Sequence, residues 1–292
     1  MKAAIIDVGS NSVRLLCGER TDGIWAYEAK RLCKTRLGER EADGNLTAVA
    51  KEASFEALAE MRSAAERFGA ERIYAFATSA VREAGNGADF LREAKERTGI
   101  DLRIWSEEEE AAYAFAGATG MYPRDGRHYL TVDIGGGSTE LALGCGDDVY
   151  WSRSYPVGAV RLKAIAAEGI QRIWEETATM WEPLPIRGTF GEFIGVGGTV
   201  TTLAAVAQKL DVYDGAKVTG FELTREAVEG WALAFRYMSA EEAAELPGLP
   251  AERADIILAG TELLSSFMDA YEVGYIIVSD RDGMEGFLET AT

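Results

Sequence analysis

"DIGGGSTE", residues 133–140, decides how this chain is read. An acidic residue closes an apolar run, three glycines follow, and two hydroxyls and a second carboxylate lead into the next apolar run. "IIDVGSNSVRLL", residues 5–16, repeats the theme: apolar strand, Asp-x-Gly, small polar residues, apolar strand. One such turn is an ordinary hairpin. Two of them, far apart in the chain, predict two similar half-structures holding one ligand.

Working outward, residues 2–7, 13–19 and 24–34 read as three consecutive strands joined by short polar turns. Leu58, Met61, Ala65 and Phe68 recur at three- and four-residue steps, which predicts an amphipathic helix over 47–68. A strand at 72–77, helical stretches to about residue 98 and a short strand at 102–105 follow. Ser106, with Glu109 three residues on, starts a helix through a capping box. Gly, Pro and Asp cluster in "GATGMYPRDG", residues 117–126, the expected linker. The meander then restarts with strands at 128–133, 140–144 and 148–157. Helices are expected around 158–182, 198–208 and within 224–272, strands at 193–196 and 275–280, and a short helix at the end. This predicts two α/β domains of related topology, 1–120 and 121–292, with mixed sheets and a cleft between them. The final helix packs on the first domain in one version of this arrangement.

The turns suit a bound phosphate. Several backbone N–H groups can point into one concavity where residues lack Cβ or carry short polar side chains. Gly135, Gly136 and Gly137 supply the first kind, Ser138 and Thr139 the second, and Ser10, Asn11 and Ser12 form the matching turn in the first half. A third segment, "GVGGTVTTLAA" (195–205), runs from a strand through Gly198 into a helix whose first turn carries Thr199, and helix N-termini attract anions. Asp7 and Asp133 end their strands at these turns, where they can hold Mg²⁺ directly or through water, with Glu140 turned back toward the same place. Taken singly, each turn reads as structural; three in this order with these acids read as a site. Glu107, Glu108 and Glu109 suit a helix first turn. Glu110 lies one turn in; near Asp133 and Glu140, like charge would raise its pKa, as a general base needs.

Composition removes other chemistries. With 48 Asp+Glu against 30 Lys+Arg, the formal net charge of -18 argues against nucleic acid or an anionic membrane as partner. A single histidine, His128, rules out a multi-histidine metal centre, and no P-loop occurs. Cys17, Cys33 and Cys145 have no C-x-x-C spacing and read as reduced thiols of a cytoplasmic protein. No apolar run approaches the ~20 residues of a membrane span.

The chain resembles the exopolyphosphatase / guanosine pentaphosphate phosphohydrolase (Ppx/GppA) family of the sugar kinase–actin–chaperone ATPase superfamily. The stretches that carry this are "IDVGSNSVRLL", "RLGE", "FATSAVREAGNGADFL", "SEEEEAAYAF", "VDIGGGSTELALG", "YPVGAVRL", "GVGGTVTTLAA", "LPGLPAERADIILAG" and "SDRDGMEGFL", from residue 3 to 288. The resemblance implies two actin-like (ribonuclease H-like) domains, with Glu110 activating the attacking water and Asp133 and Glu140 associated with the metal and that water. It makes Arg82 and Arg14, and more weakly Arg161, candidate phosphate contacts. Asp282 and Met284 stand where the family's terminal motif has glycine and arginine.

These observations predict an Mg²⁺-dependent (alternatively Mn²⁺-dependent) exopolyphosphatase that releases terminal orthophosphate by in-line attack of water. Guanosine pentaphosphate is the alternative substrate. An ATP-dependent kinase of the superfamily and a non-catalytic phosphate or alarmone sensor are the readings from other classes. A homodimer is compatible with this reading.

Overall fold

A computed structural model of the chain describes residues 1–166, 169–186 and 188–291. Two compact units emerge: Met1–Glu110 with Phe287–Thr292, and Ala111–Gly286.

The first unit begins with β1 (Lys2–Val8) and β2 (Ser12–Thr21) as an antiparallel hairpin. The single strand expected over 24–34 is two, β3 (Ile24–Tyr27) and β4 (Arg31–Lys34). Both pair with β2, β3 along Gly18–Thr21 and β4 along Ser12–Leu15. The ladder breaks at the charged segment 28–30 and resumes one stretch further along β2. Helix α1 (Ala48–Phe68) starts at the Thr47 N-cap, whose side chain accepts from Ala50 N, and stops at Gly69 with φ 83°. Its face of Leu58, Met61 and Ala65 is fully buried. Then come β5 (Arg72–Ala77), α2 (Ser79–Arg82), α3 (Gly87–Thr98), β6 (Arg103–Ile104) and α4 (Glu107–Thr119). Phe90 of α3 stacks on Phe55 of α1 at 5.2 Å between ring centres. The sheet order is β3-β2-β1-β5-β6, with β1, β5 and β6 parallel.

The second unit repeats it. β7 (His128–Ile134), β8 (Thr139–Cys145) and β9 (Asp148–Tyr155) form the meander, followed by α5 (Ala159–Ala166) and α6 (Ile170–Thr177). The helical region expected over 158–182 is thus two helices, and its positions 167 and 168 lie outside the described residues. The rest runs β10 (Phe190–Val196), α7 (Gly197–Ala207), α8 (Gly215–Val218), β11 (Glu222–Thr224), α9 (Arg225–Phe235), α10 (Ala240–Ala244), α11 (Ile257–Ala270), β12 (Tyr275–Val278) and α12 (Gly283–Thr290). The order β9-β8-β7-β10-β12 reproduces that of the first sheet, with β11 added antiparallel at the edge. A meander whose first strand lies centrally, extended by parallel strands, is the actin-like (ribonuclease H-like) arrangement, present twice. Its second core is built from residues such as Leu130, Leu141, Leu203, Leu263 and Phe267.

Gly117, expected in a linker, lies inside α4. A Cβ there would sit 1.9 Å from Asp282 O, and one on Gly286 of α12 would sit 1.9 Å from Tyr113 O. The two helices cross with their backbones in contact, which only glycine permits. Asp282, at the family's glycine position, caps α12: its Oδ1 accepts from Met284 N, and Glu285 reaches back to Asp282 N. Met284 is fully buried, so an arginine in its place would need another environment.

Candidate active site

The two hairpins match residue for residue. In the first, Asp7 pairs with Arg14 and Val8 with Val13; in the second, Asp133 pairs with Glu140 and Ile134 with Thr139. Each four-residue turn closes with the same bond, Gly9 N to Ser12 O and Gly135 N to Ser138 O, both 3.0 Å. Asp7 and Asp133 are therefore equivalent, and Arg14 is equivalent to Glu140.

In the first unit Asp7 is 5% exposed; its Oδ2 accepts from Arg14 Nε at 3.0 Å and Nη2 at 2.5 Å. The arginine read as a phosphate contact thus holds the aspartate of its own hairpin. Asp7 Oδ1, Asn11 Nδ2 and Thr35 Oγ1 are buried without a hydrogen-bond partner. The "RLGE" loop folds over this turn: Thr35 N and Arg36 N donate to Asn11 O, and Gly38 N donates to Ser10 O at 2.7 Å. Ser10 Oγ lies 3.3 Å from Ser79 Oγ at the start of α2. At the other end of α2, Arg82 Nη1 donates to Glu110 Oε2 at 3.1 Å and to Trp105 O at 3.0 Å. Within its unit Glu110 therefore meets a cation. The capping box forms as expected, Glu109 N to Ser106 Oγ and Ser106 N to Glu109 Oε2. The Glu108 carboxyl is held below its ordinary value by hydrogen bonds from its own backbone amide and from Ser106.

In the second unit Asp133 and Glu140 stand side by side on one face, two like charges where the first unit has a salt bridge. Glu140 is 3% exposed and accepts from Ser154 Oγ at 3.0 Å. The carbonyls of Gly135 and Gly136 accept from Ala159 N and Val160 N, the first amides of α5, while Thr139 Oγ1 donates to Val157 O. Arg161 contributes its amide to Gly136 O at 3.4 Å. Gly158 makes this approach possible, since a Cβ would lie 2.6 Å from the Gly136 carbonyl. The amides of Gly136 and Gly137 donate to no acceptor among the described residues. Gly197, at φ 83°, lets α7 start against Asp133, whose Oδ1 would be 2.3 Å from a Cβ there. Gly198 lies under the Arg253 guanidinium, and Thr199 packs on Gly260 of α11. Ser138 and Thr199 are both 4% exposed.

Among the described residues no three His, Cys, Asp or Glu side chains converge as metal ligands. Mg²⁺ does not require such a trio: one or two carboxylates suffice, with water and substrate oxygens completing the shell. In the first unit the unpartnered Asp7 oxygen, and in the second the Asp133 and Glu140 carboxylates on one sheet face, are each donors that suit a hard divalent cation.

Arg253, over Gly198 at the start of α7, and the Tyr213–Asp280 hydrogen bond, with Asp280 against Gly215 at the start of α8, escaped the sequence reading. Burial and Asp280 push the Tyr213 hydroxyl pKa strongly upward. The stretch "LPAERADIILAG" was the signal for Arg253; nothing in the sequence marks Tyr213.

Two ribonuclease H-like units with matched acidic hairpins define an actin-like α/β protein. The chain belongs to the Ppx/GppA phosphatase family, whose model matches residues 27–290. It is 29% identical over 319 residues to Exopolyphosphatase 2 of Mycobacterium tuberculosis, covering 98% of this chain and 97% of that protein. It is 32% identical over 307 residues to the bifunctional 3-dehydroquinate synthase/phosphatase of Fusobacterium nucleatum, of which the match spans only 45%. The crystal structure of the Aquifex aeolicus Ppx/GppA family member matches with TM-score 0.79 and 31% identity, covering 100% of this chain and 97% of that one.

Proposed function

We propose that the protein is an exopolyphosphatase releasing terminal orthophosphate from inorganic polyphosphate. The observation that carries this is the pair of matched hairpins, each ending in an aspartate, the second with two amide donors left open for an anion. Phosphoryl transfer needs positioning and charge neutralisation more than covalent chemistry. In this reading the Gly136 and Gly137 amides, with the Ser138 hydroxyl, receive phosphate oxygens. Ser10, Asn11 and Ser12 do the same from the first hairpin. Glu110, oriented by Arg82, takes a proton from the attacking water. Asp7, Asp133 and Glu140 would hold Mg²⁺, which when bound neutralises charge on the phosphate oxygens.

Guanosine pentaphosphate is the second reading, favoured by the net charge of -18, which penalises a long polyanion more than a nucleotide. Phosphate release from long polyphosphate, guanosine pentaphosphate and ATP, each with Mg²⁺, separates these readings. Polyphosphate should be cleaved with the highest kcat/KM. Glu110→Gln should lose at least ~100-fold in kcat while retaining substrate binding. Undiminished turnover in that variant removes Glu110 from the mechanism. ATP turnover that requires a hydroxyl-bearing acceptor makes the chain a kinase.

A further inference from the structure

We propose that the groove between α6 and α9, floored by α11, binds a small organic cation with an apolar body, an alkyl- or arylammonium, at a site separate from the glycine turns. The cavity measures about 710 Å³, within the ~300–1,000 Å³ of small-molecule sites. Trp174 and Trp181 form one wall and Leu233 the other. On the floor, Glu262 is 3% exposed and engages both oxygens internally. Its Oε2 accepts from Trp174 Nε1 at 2.9 Å and Arg236 Nη2 at 3.0 Å, and its Oε1 from Arg236 Nε at 2.6 Å.

Charge decides the ligand class. The groove's cation, Arg236, is matched by Glu262, and its guanidinium lies 4.9 Å from the centre of the Trp174 ring, so that indole already accommodates a cation. What remains is negative. Glu229 has neither ion pair nor hydrogen bond among the described residues. Asp269 meets Arg225 at 3.0 Å but stays 61% exposed. An anion entering here would face two carboxylates on a protein of net charge -18. A neutral apolar molecule would cover Glu229 without pairing it, at a desolvation cost. An ammonium on an apolar body pairs with Glu229 and lies against indole, both favourable.

Calorimetric titration of the full chain with benzyltrimethylammonium, and with phenylacetate as the anion of similar shape, tests this. Saturable binding of one benzyltrimethylammonium per chain is expected, with phenylacetate weaker. Glu229→Gln should weaken binding by about threefold or more, and Trp174→Leu by a similar factor, with circular dichroism unchanged. Ser138→Ala, in the second hairpin, should leave the Kd as it was. No saturable binding, tighter binding of phenylacetate, an unchanged Kd in Glu229→Gln, or loss of binding in Ser138→Ala overturns the proposal.

Discussion

Arg14 and Glu140 occupy the same place in two hairpins with opposite charge, and Arg14 holds the aspartate across from it. Removing Arg14 leaves Asp7 with its charge buried and no cation within the hairpin. Breaking a buried pair from one side costs about 3–5 kcal/mol; because Arg14 keeps 25% of its side chain exposed, the lower end applies, and Arg14→Met should destabilise by about 3 kcal/mol. Urea denaturation reads this as a lower midpoint at constant slope. A side chain serving phosphate alone would leave the midpoint unmoved and raise KM instead. At position 140 the carboxylate serves the metal in this reading. Glu140→Gln can keep the hydrogen bond from Ser154 and should reduce the stabilisation and stimulation by Mg²⁺, as melts and rates with and without Mg²⁺ would show. The acids and glycines were legible in the sequence because they interrupt apolar runs. The Asp7–Arg14 pairing was not, because cross-strand partners follow from turn length and register.

At the scale of elements, the crossing of α4 and α12 shows where composition misleads. Gly117 belongs by composition to the Gly/Pro/Asp cluster after it, yet its missing Cβ serves contact with Asp282, far away in sequence. Gly286→Ala would drive a methyl to 1.9 Å from Tyr113 O. The helices would have to separate, at about 2–3 kcal/mol, near the top of the usual cost of overpacking. Calorimetry should show the loss in Tm. Asp282→Ala removes the cap, at about 1 kcal/mol, while leaving both glycines of the crossing in place. Long periodic elements such as α1 were legible because their buried face repeats every three or four residues. The β3/β4 break was not: both pieces have strand composition, and only the ladder to β2 divides them.

For the whole molecule, doubled topology was the most legible property, because strand–turn–strand runs with the same acid at the same place recur in order. Charge is the property that acts at the longest range. A protein of net charge -18 repels a long polyphosphate during approach, and that repulsion reaches ~30 Å at 0.01 M ionic strength but only ~8 Å at 0.15 M. At fixed free Mg²⁺, kcat/KM for long polyphosphate should therefore rise with salt over this range, about threefold or more, since steering of either sign changes encounter rates by ~10-fold upward. A short substrate such as tripolyphosphate should respond less, having fewer charges to repel. Steady-state rates across that salt series decide the sign. If added salt slows the long chain instead, an attractive basic track outweighs the global field, and arginines near the turns, Arg253 first, become the residues to substitute.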